Sequence, residues 1–144
     1  MIKKNIKLSD LFDEKMIYQE SEFEYAEKKG VAEIIGWKIV LFRIDKNSTC
    51  FDAIRLFDIE DEEEAELCNS ILKELGFPVS FNSDISDIYK AFGKEDFTED
   101  HITGCKRYIY SPSEELYIAF DISGNKITGM EIVCSKELID SILN

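Results

Sequence analysis

Histidine, tryptophan and proline are almost missing from this chain: among 144 residues there are one, one and two of them. A single histidine, His101, excludes metal sites built on paired imidazoles and leaves any histidine-dependent catalysis to one side chain. Cys105 follows four positions later, but no third group is placed to orient such a pair, so His101 is expected to be an ordinary surface residue. The four cysteines (Cys50, Cys68, Cys105, Cys134) stand 18, 37 and 29 residues apart, which is neither a CxxC motif nor zinc-ligand spacing. They are expected to be small buried hydrophobes. Basic residues are scarce too. Seventeen against thirty acids leave a net charge of −13, which repels nucleic acid and anionic membranes and favours a basic partner.

No apolar stretch approaches the ~20 residues that span a bilayer. Lys3, Lys4 and Lys7 near the start are followed by Ser9, Asp10, Asp13 and Glu14 rather than by an apolar segment, so no secretory signal is expected and the chain reads as cytoplasmic. GxGxxG, P-loop, HExxH and GxSxG patterns are all missing. The expectation is therefore a protein with no catalytic residues, no metal and no cofactor.

What is present is a core-forming composition, 44% hydrophobic and 12% aromatic, on a chain sized for one domain. The chain also repeats itself. Leu8-Ser9-Asp10-Leu11-Phe12 recurs as Ile85-Ser86-Asp87-Ile88-Tyr89, 77 positions on. Phe42, Ile44, Asn47 and Ile54 recur as Phe120, Ile122, Asn125 and Ile132, 78 on. Glu66 to Leu72 recurs as Glu137 to Leu143, 71 on. The matches divide one domain into pseudo-repeats 1–76 and 77–144, with seven extra residues between Leu56 and Glu66 in the first.

Periodicity gives each repeat a helix, a three-stranded meander and a second helix. Ile85, Ile88, Tyr89 and Phe92 follow helical spacing, with Ser83 as N-cap and Gly93 past the end. Cys105 to Tyr110, Glu115 to Ile122 and Lys126 to Cys134 read as strands, the last two joined at Ser123-Gly124-Asn125. Ile127 and Met130 have opposite parity, so a β-bulge at Gly129 is expected to bring both to one face. The first repeat gives Glu22 to Ala26, Ile34 to Ile44 and Phe51 to Asp58 as strands, with a turn at Asp45-Lys46-Asn47-Ser48 and Trp37 in the core. Glu60 to Leu75 then forms a helix with Cys68, Ile71, Leu72 and Leu75 on its apolar stripe, and Lys136 to Leu143 is its counterpart. The fold class is α+β, about six antiparallel strands with helices on one face. Whether the repeats share one sheet or pack two sheets together stays open.

Two features are candidates for function. Asp58, Glu60, Asp61, Glu62, Glu63, Glu64 and Glu66 place seven carboxylates within nine residues, inside the insertion of the first repeat. Carboxylates favour the positive end of a helix, so a solvated helix start accounts for the run; a docking surface for a basic partner accounts for it as well. Tyr108, Tyr110 and Tyr117 lie on the central hairpin of the second repeat, as core residues or as protein-binding anchors.

Asp84 through Gly93, Tyr108, Phe120, Gly124-Asn125-Lys126-Ile127 and Val133 together resemble the helix, turn and meander of the β-lactamase inhibitor protein and of the outer-membrane assembly lipoprotein family. That resemblance implies a sheet that binds another protein. In type, a small acidic α+β chain is similar to bacterial immunity proteins, which neutralise a cognate toxin. The function expected is inhibition of a basic protein toxin. The alternative is a small-molecule or sensory domain with its ligand between duplicated sheets.

Overall fold

The computed structural model describes the backbone of residues 32–35, 39–42, 52–102 and 104–143, and side chains within 52–100 and 104–143. The helix expected at Leu8 to Phe12, the strand at Glu22 to Ala26, Trp37, the Asp45 to Ser48 turn, Cys50 and the His101 side chain lie outside the described residues.

Among the described residues, seven strands form one antiparallel sheet: β1 (Ala32–Ile35), β2 (Ile39–Phe42), β3 (Ala53–Leu56), β4 (Phe97–Ile102), β5 (Cys105–Ser113), β6 (Leu116–Ser123) and β7 (Lys126–Val133). Their order is β1-β2-β3-β7-β6-β5-β4. Three helices accompany them among the described residues: α1 (Glu62–Glu74), α2 (Ile85–Phe92) and α3 (Lys136–Leu143). The architecture is α+β, and it differs from the expected six strands for two reasons. β4, Phe97-Thr98-Glu99-Asp100-His101-Ile102, is polar and carries no alternation, because an edge strand needs only one neighbour's ladder. The Ile34 to Ile44 run is two strands rather than one, with Ile35 opposite Ile39. A run broken only by Gly36, Lys38 and Arg43 has no period from which the reversal could be read.

The helices occupy both faces of the sheet, not one. α1 and α2 cover the face that carries Ile54, Leu56, Tyr110, Ile118, Phe120, Met130 and Ile132. Ile139 and Leu138 of α3 pack on the opposite face, against Ala53, Ile109, Tyr117, Ala119 and Val133. The cause lies in β6, where every residue from Tyr117 to Ile122 is buried. A strand apolar on both faces needs cover on both. Phe120 is the centre of the larger cluster, with the rings of Phe77, Phe92 and Tyr110 at 6.1, 5.8 and 5.9 Å.

Local chemistry sets the helix ends. Asp61 caps α1, its Oδ1 accepting from the Glu64 amide at 2.8 Å. At α2 the cap is Asp84 in a reciprocal box with Asp87, not Ser83. Ser83 Oγ accepts instead from the Ser80 amide and holds the preceding turn. Gly93, at φ 79°, closes α2 in a conformation that L side chains avoid. The bulge falls where expected. Asp121 pairs with Gly129 and Ile122 with Ile127, so Thr128 is the extra residue, and Ile127 and Met130 both enter the core.

β3 pairs with β7, the middle strand of the seven described, with Ile54 directly opposite Ile132. From that pair the order runs outward as β2, β1 on one side and β6, β5, β4 on the other. Leu41 pairs with Ile54 as Ile118 pairs with Ile132. Phe42 therefore takes the register place of Ala119, one residue from the expected Phe120. The match of Ile71 to Ile142 also fails: Ile71 is buried under one face, whereas Ile142 is 44% exposed on a helix packed against the other.

Candidate functional site

The acid run is held in place by one apolar anchor. After β3, Asp58 adopts a left-handed backbone (φ 56°) and the chain turns so that Ile59 is buried. The Ile59 amide donates to the Thr128 carbonyl at 2.8 Å, in the bulge of β7. This contact fixes Glu60 and Asp61 beside the β6–β7 hairpin. Asp58, Glu60, Asp61, Glu62, Glu63 and Glu66 are exposed, and Glu64 is half-buried. Glu62, Glu63 and Glu64 form the first turn of α1, where the helix dipole favours them.

A groove of about 770 Å³ opens at this corner, between the start of α1, the Phe81 to Asp84 turn and the β6–β7 hairpin. Buried Ile59, Phe81 and Ile127 supply apolar lining. Glu60, Asp61, Glu62 and Asp84 bring four carboxylates against one ammonium, Lys126. Asp84 lies outside the acid run and reaches the groove from the next element, a juxtaposition that only the fold provides.

The three tyrosines do not act as one set. Tyr110 is core: its hydroxyl donates to the Gly93 carbonyl at 2.9 Å, and burial with the nearby Glu95 charge pushes its pKa up to about 12. Tyr117 is buried on the opposite face, where burial raises its pKa and Arg107 partly offsets the rise. Neither can serve as a surface anchor, because each hydroxyl-bearing ring is enclosed by the sheet and its covering helix. Tyr108 is half-buried, with Lys106 Nζ 6.0 Å above its ring, and stays within reach of a partner.

An ion cluster on the α3 face was not legible in the sequence. Arg107 on β5 holds Asp121 on β6 through Nε at 2.8 Å and Nη2 at 3.2 Å, and reaches Glu131 on β7 at 3.3 Å. Burial alone would lower the Arg107 pKa, but the Asp121 hydrogen bond and the two carboxylate charges raise it above its ordinary value. The one available signal was Asp121 itself, a charge inside the apolar strand from Leu116 to Ile122. Among the described residues, no group of three or more His, Cys, Asp or Glu side chains could hold a metal ion. No described helix is long and apolar enough to cross a membrane. Comparison with protein-family models, with curated proteins and with solved structures finds no match to this chain.

Proposed function

We propose that this chain is a cytoplasmic inhibitor of the immunity type, which binds and blocks a basic protein, most concretely a toxin domain. The observation that carries this reading is the acid run: seven carboxylates in nine residues, six of them exposed, concentrated at the start of α1 and along one groove. A helix needs only a cap and one or two acids in its first turn, so most of this charge exceeds what the helix uses. Tyr108 extends the contact surface; catalysis and cofactors have no part in it. The small-molecule alternative relied on a cavity between two packed sheets, and the described strands make a single sheet.

The same reading takes the sheet as a tandem duplication limited to its strands, the two copies meeting at Ile54 and Ile132. Support comes from the two three-stranded meanders that flank this junction, β3-β2-β1 and β7-β6-β5, and from the 78-residue spacing of that pair; β4 has no counterpart among the described strands. The helices following each meander lie on opposite faces and fall outside the correspondence.

Association kinetics test the function. A variant with the exposed Glu62, Glu63 and Glu66 changed to glutamine should fold nearly as before, since exposed charges contribute on the order of 1 kcal/mol or less each. Against a basic partner recovered by pull-down, it should associate more slowly, and the wild-type rate should fall steeply with salt. An on-rate indifferent both to salt and to the substitutions returns the run to a solvated helix start.

A further inference from the structure

The groove differs from the open acidic surface beside it in having an apolar lining, Ile59, Phe81 and Ile127. A basic surface could be attracted by carboxylates alone. A cleft that joins apolar walls to carboxylates fits a more particular occupant, one with a long apolar stem and a charged end. The carboxylates come from two directions, Glu60 and Glu62 from the start of α1 and Asp84 from the turn before α2. A guanidinium has five donors in a planar fork and is weakly hydrated, so it can bridge carboxylates on two walls. An ammonium is a compact, strongly hydrated point charge and loses more on leaving water. Asp61 and Asp84 each spend one oxygen on a helix amide, which leaves their charge in place.

We propose that the groove receives an arginine side chain of the basic partner, stem against Ile59, Phe81 and Ile127, guanidinium between Glu60, Glu62 and Asp84. The inference rests on the reading of the chain as an inhibitor of a basic protein and names the residue that reading leaves open. The cleft exceeds one side chain in volume, so the turn that carries the arginine enters with it. Lys126, on the hairpin wall, offsets one of the four carboxylates of Glu60, Asp61, Glu62 and Asp84, so the lining stays net negative.

The test uses the intact protein labelled with nitrogen-15 and four probes: N-acetyl-arginine amide, N-acetyl-lysine amide, guanidinium chloride and poly-lysine. The arginine amide should shift the amide signals of Ile59, Asn82, Asn125 and Thr128 at millimolar concentration, and bind at least about threefold more tightly than the lysine amide or guanidinium. Combining Glu60→Gln, Glu62→Gln and Asp84→Asn should weaken it about tenfold or more, with asparagine still able to cap α2. Equal affinity for the three small probes, or no effect of the triple change, overturns the arginine site. If poly-lysine binds in a salt-sensitive way while the arginine amide leaves the groove signals fixed, the site falls and the inhibitor reading survives. If poly-lysine does not bind either, both fall.

Discussion

A methyl group at residue 129 would lie 2.8 Å from Asp121 Oδ2 and 3.0 Å from the Leu56 carbonyl oxygen. Glycine is therefore needed at the bulge for space, since the carboxylate it faces is locked to Arg107 and cannot swing away cheaply. Gly129→Ala should cost about 2–4 kcal/mol in urea unfolding, as overpacked cores do; a loss below about 0.5 kcal/mol would show that Asp121 yields freely. Removing Arg107 alone should cost about 3–5 kcal/mol by leaving Asp121 buried and uncompensated, and replacing Arg107, Asp121 and Glu131 together by apolar residues should cost less. Tyr110 carries a pH dependence whose sign is fixed. Its phenol is neutral in the fold up to about 12, against about 10 when unfolded, so the stability it contributes is present below pH 10 and is lost as pH rises towards 12. Tyr110→Phe should flatten the decline of unfolding free energy between pH 9 and 12, followed by circular dichroism, while giving up about 1 kcal/mol at neutral pH for the bond to Gly93. At this scale the bulge was legible because parity is a local rule. The Arg107 cluster was not, because its members align only once three strands are in register.

Helices were the elements read best. Glu60 to Leu75 became Glu62–Glu74, and Ile85–Phe92 and Lys136–Leu143 stand as expected, because each has an apolar stripe and the first two are closed by Gly76 and Gly93. The cap of α1 is testable at the same level: Asp61→Ala should cost about 0.5–2 kcal/mol, and Asp61→Asn far less, in thermal or urea unfolding. If alanine and asparagine behave alike, the hydrogen bond to the Glu64 amide contributes nothing. Strands were read unevenly. β6 and β7 alternate or punctuate clearly, whereas β4 is a polar edge and β1 and β2 hide inside one apolar run. The helices' choice of face was not legible from their own sequences, since an amphipathic stripe says that a face is buried and not what buries it. It follows from β6, whose alternate residues are buried in apolar clusters on opposite faces of the sheet.

For the molecule as a whole, the net charge of −13 on 144 residues sets a self-repulsion that no local interaction removes. Thermal midpoints should rise as salt is raised from about 10 mM to 150 mM, where the screening length shrinks from about 30 to about 8 Å. A midpoint that falls over that range would mean that favourable ion pairs, such as those of Arg107, outweigh the repulsion. The composition made the acidity legible at once, yet the groove that gathers Glu60, Glu62 and Asp84 depended on two segments more than twenty positions apart meeting at one corner.

The β3–β7 pair at the middle of the sheet also governs how the chain is made. Ile54 waits for Ile132, 78 positions later, before its ladder can close. At about 5–20 residues per second of synthesis, that wait lasts about 4–16 s. During it, the side of β3 that β7 will cover is an open edge, able to pair with any extended segment nearby. A strand destined for the interior of the finished sheet is thus its most vulnerable border while the protein is being born. Crowded translation of this chain should favour mispairing at Ala53–Leu56 over any other described strand.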